Sequence, residues 1–440
     1  MAPLTHAFVF PQQGAGMLGL PYAFKRSGTV EGAVFLVIIA FLSWHAIMTL
    51  LQTRRFLVES RHERAATYGD VAEAAYGQLG RTTVNLLLVL SQTGFCVAYL
   101  VFIGQNLASV SSWPTSAYIM ALIPALISLS LVKSLTKLAP FSLVADVLNL
   151  FGLLVIFRDD TVAVLSTNHL ERASWSNVSN LPFLFGVFIY CYEGIGMMLP
   201  LESSMAEPEK FARTLTIGIC VITALFVAFG AIGYEAFGDD TSDIVTLNLP
   251  KDPTTTAVKM CMSVGLLFTF PVMMVPVWEI LEAVRGYKRL PSSDGGDRDD
   301  DETKPPAPQA PQGAVGWGAY GAARRIAVVL GLVVAAIGVP GFSIFVSLVG
   351  SVCCGSLAFI LPALLHLKLV GAKRMSRYEL ILDSVLIAVG VAGMIAGTSN
   401  TLYELLVPSP SELVVATEEA HTAWHESLGH GAESPPPPPS

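Results

Sequence analysis

The sequence predicts an all-α integral membrane protein with eleven transmembrane helices. Three observations carry that prediction. Hydrophobic residues make up 53% of the chain and charged residues only 14%, well below the share of about 25% usual in soluble domains. Apolar stretches of about twenty residues, long enough to cross a hydrocarbon core, recur from end to end. The Lys and Arg residues between them are distributed in the way that orients helices in a bilayer.

The eleven stretches run over 4–25, 29–52, 83–110, 116–136, 139–157, 181–201, 214–236, 257–284, 324–341, 343–367 and 379–400. Pro11 and Pro21 interrupt the first, and Pro340-Gly341 separates the ninth from the tenth. With the N-terminus inside, the cytoplasmic loops hold most of the Lys and Arg. Only Lys25, Arg26, Arg158, Arg172, Lys251 and Lys259 fall elsewhere. That bias places the C-terminus outside. A glycosylation sequon, Asn177-Val178-Ser179, sits in the 158–180 loop on the expected outer face. The N-terminus has no basic n-region, so no cleavable signal is expected. All six cysteines lie in apolar stretches and are expected to be buried free thiols. The net charge of −8 gives no nucleic-acid signal. Residues 1–407 form one transmembrane domain, interrupted by an acidic, Pro-rich cytoplasmic loop at 286–323. Residues 408–440, ending in "ESPPPPPS", are a Pro-rich outer or lumenal tail. Both segments have the composition of solvated, disordered chain.

The segment "GAGMLGLPYAF" at 14–24 breaks the helical pattern of the first stretch. Gly and Pro free backbone groups from the helix ladder, and in hydrocarbon each costs several kcal/mol unless protein or a water-filled cavity surrounds it. Carriers built from inverted repeats use such breaks in pairs, at equivalent positions of two halves. A partner is therefore expected five stretches later, and one is there. Gly194-Ile195-Gly196-Met197 echoes Gly14-Ala15-Gly16-Met17, and each is followed by Leu-Pro, at Leu20-Pro21 and Leu199-Pro200. Close helix packing by small residues would explain either cluster alone. The pair in register fits a five-plus-five inverted repeat with one helix added. Freed N–H groups attract a carboxylate and freed carbonyls an ammonium or a cation, so the pair suits a zwitterion such as an amino acid.

These residues resemble the amino acid/auxin permease family of the amino acid–polyamine–organocation superfamily. The likeness is greatest to plant and fungal vacuolar neutral amino-acid exporters and animal proton-coupled amino-acid transporters. The matching stretches are "GAGMLGLPYAFKRSG", "TYGDVAEAAYG", "LSQTGFCVAYLVFIGQNL", "KLAPFSLVADV", "FGVFIYCYEGIGMMLPLESSM", "AFGDDTSDIVTLNLP" and "SLVGSVCCGSLAFILPALLHLKL". The resemblance implies a LeuT-type fold, coupling to a proton gradient with no other cofactor, and no covalent chemistry. Residues 1–13 depart from the family pattern, which has a cytosolic tail and a longer inner half of the first helix.

The candidate substrate site comprises Gly14, Ala15, Gly16, Met17, Thr93, Tyr99, Tyr190, Glu193, Gly194 and Gly196. Glu193 stands out as an acid in mid-span, where a charge costs at least about 2.5–3.5 kcal/mol and marks function by default. It is the proton-coupling candidate, or else a permanently neutral acid pinning the break. Tyr190 and Tyr192 flank it, and the sequence does not say which faces substrate. Gln92 and Tyr99, seven apart, share a helix face that either lines the site or bonds within the core. Ser263 and Thr269 are weaker candidates. His45 reads as a proton relay or as a neutral His bonded to a neighbouring helix. His6 carries little weight, Asp146 pairs with Lys137 or a helix terminus, and Lys259 snorkels. No metal-ligand or Ser–His spacing is present, so an enzyme is not expected.

The function expected is proton-coupled transport of small neutral amino acids by alternating access, in a vacuolar or lysosomal membrane rather than the plasma membrane. The alternative is an amino-acid sensor of the same fold that signals through its cytoplasmic surface. The partners are the amino acid, protons and the lipid bilayer, with no nucleic acid.

Overall fold

The computed structural model describes residues 14–61, 65–132, 135–167, 178–205, 207–250, 252–287 and 319–407. Residues 1–13 with His6, Lys133, Asn177 of the sequon, most of the 286–323 loop and the 408–440 tail lie outside them, and so do the side chains of Ala15 and Lys137. The described residues are helical, without strands.

Helix α1 (Gly14–Met17) and helix α2 (Leu20–Ser27) are two halves of the first stretch. Gly28, at φ 81°, turns the chain sharply into α3 (Thr29–Arg61), a conformation that Cβ-bearing residues resist. Helix α4 (Tyr68–Ser109) opens on a capping box in which Thr67 and Asp70 satisfy each other's backbone N–H groups. It kinks at Gly77, φ 64°, so the "TYGDVAEAAYG" segment becomes a short first limb. Then come α5 (Thr115–Ala121) and α6 (Ile123–Ser130), parted at Leu122, because Pro124 has no N–H to give the carbonyl one turn back.

Helix α7 spans Leu135–Thr167, well past the expected end at 157. Arg158 pairs with Asp159 and Asp160 is buried, so these charges do not terminate it. The sixth stretch is α8 (Leu181–Cys191) and α9 (Ile195–Ser204), followed by α10 (Phe211–Phe237). The eighth stretch is α11 (Pro253–Met273) and α12 (Val275–Tyr287). Helix α13 (Ala319–Ile337) precedes the tenth stretch, which runs from α14 (Phe342–Val349) through widened π-helical turns to α15 (Leu361–His366). The last helix is α16 (Arg377–Leu406).

Where it is described, each expected stretch falls mainly on helix, and among the described residues eight have the length and hydropathy to cross a bilayer. The other three are the first, whose described part is two short helices, the fourth, a shorter apolar helix Thr115–Ser130, and the ninth, Ala319–Ile337. At the centre lies α8, buried continuously from Phe183 to Cys191. Gly186 meets the tenth stretch backbone to backbone: a Cβ on Gly350 would lie 1.9 Å from the Gly186 carbonyl oxygen. Around this core α7, α10 and α16 expose Leu143, Val147, Leu154, Val221, Leu225 and Ile395. An apolar belt of this extent is stable against lipid and not against water. Four cysteines are buried, but Cys220 is exposed and Cys261 half-buried, because their helices turn those positions outward.

Candidate functional site

The two breaks meet. A Cβ on Gly16 would stand 3.0 Å from Tyr190 Cδ1 and 3.1 Å from Cys191 Sγ. Glycine at 16 lets the first broken stretch lie this close to the second without displacing the Tyr190 and Cys191 side chains. Pro21 carries no N–H, so the Met17 carbonyl loses its helical donor, and Pro200 does the same for Gly196. A bond from the Val245 N–H to the Leu18 carbonyl oxygen, 3.1 Å, pairs a neighbouring break carbonyl. At the second break Tyr192, Glu193 and Gly194 link α8 to α9, and the Glu193 N–H donates back to the Tyr190 carbonyl at 3.3 Å.

Between the breaks is a cavity of about 20 Å3, room for about one water. Gly16 borders it from α1, and Gln92, Phe95 and Tyr99 from α4. The second break contributes Tyr190, Glu193, Gly194, Gly196 and Met197, and α11 contributes Met273. Glu193 is only 5% exposed. The Tyr190 ring stands edge-on to Phe95 with centroids 4.6 Å apart, and its hydroxyl has no hydrogen-bond partner among the described residues. The walls are mainly aromatic and thioether, and one carboxyl group, one amide and break backbone supply the polar contacts. That is a site for a small ligand with both polar and apolar parts.

Six of the expected residues line the cavity: Gly16, Tyr99, Tyr190, Glu193, Gly194 and Gly196. The backbones of Gly14 and Ala15 belong to α1, and Met17 lies half-buried outside the lining. Thr93 also lies outside it. Its hydroxyl donates back to the Val89 carbonyl at 2.7 Å, because a residue next to Gln92 points about 100° away around the helix. Tyr192 turns to α10 and donates to Thr223 Oγ1 at 2.9 Å, so of the two tyrosines flanking Glu193 it is Tyr190 that lines the cavity.

Ser263 and Thr269 donate to carbonyls one turn back and are satisfied within α11. His45 has a cross-helix partner: its Nε2 stands 3.7 Å from Asp383 on α16. Asp383 also meets His366 Nδ1 at 2.7 Å. Lys259 does not snorkel. It is 2% exposed and donates to Ser109 Oγ at 2.9 Å.

Sequence reasoning missed Phe95, Met197 and Met273. Phe95 sits three residues after Gln92 and four before Tyr99, so the shared-face argument could have included it. Met197 lies inside the echoed Gly-Ile-Gly-Met string. Met273 gave no signal beyond its nearness to Pro271.

Comparison with known proteins follows the same lines. Residues 5–403 match the family described as transmembrane amino acid transporter protein. Amino acid transporter AVT3C of Arabidopsis thaliana is 37% identical, the alignment covering 89% of this chain and 88% of that protein. Amino acid transporter ANT1 of the same plant is also 37% identical, over 88% and 89% of the two chains. Vacuolar amino acid transporter 3 of Saccharomyces cerevisiae is 31% identical over 87% of this chain and 53% of its own length. Among solved structures, a manganese transporter of Eremococcus coleocola aligns over 98% of this chain and 94% of its own at a TM-score of 0.51. Sequence identity there is 10%, so the match speaks for a shared LeuT-like transporter fold alone. The chain is a multi-pass membrane protein, and it belongs to the transmembrane amino acid transporter protein family, whose members are carriers and not enzymes.

Proposed function

We propose that this protein is a proton-coupled secondary active transporter of small neutral amino acids, working by alternating access. The observation that carries the reading is the meeting of the two breaks at a cavity that holds a buried acid, Glu193. In this reading the chain crosses the membrane eleven times, as five-plus-five inverted repeats and one further helix. The breaks at Gly16 and at Gly194–Gly196 offer N–H groups to the substrate carboxylate and carbonyls to its ammonium. Tyr99, Tyr190, Phe95, Met197 and Met273 enclose the side chain. Their bulk favours small apolar side chains over charged ones. The small cavity fits a closed state, so substrate enters when α1 and α2 move with α8 and α9 against the remaining helices. Glu193 exchanges its proton as substrate binds. Gly14, Ala15 and Met17 shape the break behind Gly16. The vacuolar names of the yeast relatives support placement in a vacuolar membrane. There, protons leaving an acidic lumen would carry amino acid into the cytosol.

The test is uptake of labelled alanine, proline and serine into liposomes, with and without an inward proton gradient, alongside Glu193→Gln. Gradient-driven uptake that disappears in the variant is the expected result. Uptake retained in Glu193→Gln would demote Glu193 to a structural role. Substrate binding without uptake would overturn transport in favour of a sensor.

A further inference from the structure

Helix α7 carries an acid that the candidate site does not use. Asp160 is 1% exposed, and neither carboxylate oxygen has a hydrogen-bond partner among the described residues. It faces the outer half of the first broken stretch: a Cβ on Gly233 of α10 would lie 2.6 Å from Pro21 Cγ and 3.3 Å from Asp160 Oδ2. The carboxyl group, Pro21 and Gly233 therefore share one small junction of α7, α2 and α10. The charged groups of the packed elements are directed elsewhere. Lys25 of α2 donates to the Thr241 carbonyl at 3.2 Å, and Arg26 pairs with Glu404. Glu235 of α10 accepts from Thr29 Oγ1 at 2.8 Å, and Tyr234 of the same helix is buried. Lys259 of α11 donates to Ser109. Arg158 pairs with Asp159, the like charge next to Asp160 in the chain.

An ionised carboxylate in this junction would be buried with neither a cation nor a donor, the costliest arrangement a side chain can adopt. A neutral carboxylic acid fits it. We propose that Asp160 is a second proton-binding site, distinct from Glu193, that must take a proton from the outer aqueous phase before α2 can seat against α7 and α10. When α2 swings away, water reaches the carboxylate and a hydronium ion transfers a proton to one oxygen, leaving water. The neutral acid is then buried as α2 closes, and the proton returns to water when the junction reopens. The chain thus reads outer acidity at a point outside the substrate cavity. This inference rests on the transport reading, because closure of α2 is a step of that cycle.

The experiment is substrate exchange in liposomes with equal amino acid and equal pH on both sides, where no net driving force acts, measured as that common pH is varied. For the wild type, exchange is expected to fall by at least about tenfold per pH unit above a midpoint, as the loss of one required proton dictates, and more steeply where Glu193 loses its proton as well. Asp160→Asn, neutral at every pH, is expected to fall less steeply by about tenfold per pH unit, keeping only the dependence that Glu193 contributes. Asp160→Glu is expected to keep a pH dependence with a moved midpoint. A folded Asp160→Asn protein that retains the wild-type profile, or that exchanges nothing at any pH, overturns the proposal. Wild type without any exchange would instead be failure of the transport reading. An infrared comparison of wild type and Asp160→Glu is independent of transport and covers a misfolded Asn variant. A carboxylic-acid carbonyl band that moves between the two supports a protonated Asp160, and an unmoved spectrum overturns it.

Discussion

Gly186 and Gly350 hold the core together by lacking side chains. A Cβ at 350 would stand 1.9 Å from the Gly186 carbonyl oxygen, and one at 186 would stand 2.2 Å from the Ser347 carbonyl oxygen. Both obstacles are backbone, so relief requires shifting α8 against the tenth stretch. Overpacking of that kind costs up to about 3 kcal/mol and sometimes more. Gly350→Ala is therefore expected to lower thermal stability in detergent by about that amount. Gly331, in α13, has open space where a Cβ would stand, with no atom within 4 Å. There alanine is expected to be neutral or to add about 1 kcal/mol through helix propensity. Gly196 is the informative third case. Its Cβ would meet only the tip of Leu88, Cδ2 at 2.6 Å, which can rotate away. Gly196→Ala is expected to keep most of its stability and lose substrate binding. Equal loss of stability in all three variants would rule out the close backbone approach as the cause.

Among elements, the segment between α10 and α11 carries two aspartates with opposite responses to acid. Asp243 accepts from the Phe342 N–H at 3.1 Å and so caps α14, while the next residues, Ile244 to Thr246, are fully buried. Burial pushes its carboxyl group above the ordinary aspartate range, outweighing the N–H groups of Phe342, Ile244 and Ser343 that favour the charge. Its contribution is full below the unfolded value of about 3.9 and is lost as pH rises through the higher folded value. Asp252 caps α11 by accepting from the Thr255 N–H at 2.6 Å. That bond holds its carboxyl group below the ordinary range, so its contribution is present at neutral pH and is lost as pH falls through the folded value. At neutral pH, Asp243→Asn is expected to be as stable as the wild type or more so, and Asp252→Ala less so. Both differences should narrow on acidification, which thermal unfolding across pH would read. At the opposite end of the molecule, Glu202 of α9 takes Arg54 at 2.8 Å and Arg55 at 2.6 Å. The Arg55 side chain is 46% exposed and that of Arg54 19%. Solvent screening decides between them: an exposed pair yields about 0–1 kcal/mol, and a buried one costs more to break. Double-mutant cycles on stability should give a larger coupling for Arg54–Glu202 than for Arg55–Glu202, and the reverse order would refute the screening argument.

At the scale of the whole molecule, the features readable in the sequence were those with a local cause. Apolar length gave the helices, and paired Gly and Pro gave the breaks. The mid-span acid marked the cavity. What stayed hidden depends on contacts distant in sequence. The pairing of Tyr192 with Thr223 and of His45 with Asp383 has no periodic signature, and neither does the burial of Asp160. The same holds for a tether between residues far apart in the chain. Arg26, at the end of α2, meets Glu404 near the end of α16 through two bonds, at 3.1 and 2.5 Å. Its guanidinium lies 4.1 Å from the Phe183 ring centroid, and Asn400 donates to the same carboxylate at 2.9 Å. A bidentate pair stacked on an aromatic face is more than a point-charge contact, and lysine cannot reproduce it. The pair joins the outer half of the first broken stretch to the last helix, so it should favour closure of the outer side. With both side chains 22% exposed, its worth is about 1 kcal/mol, a factor of about five in the opening equilibrium. Glu404→Gln and Arg26→Lys are each expected to raise labelling of a cysteine placed at Met273 by a membrane-impermeant maleimide from the outer side. The increase should be about fivefold, after subtraction of the signal from the parent with Met273 intact. The double variant should add little to either, because one tether is broken in all three. Labelling rates that multiply in the double variant would show two independent effects and remove the pair from the gate.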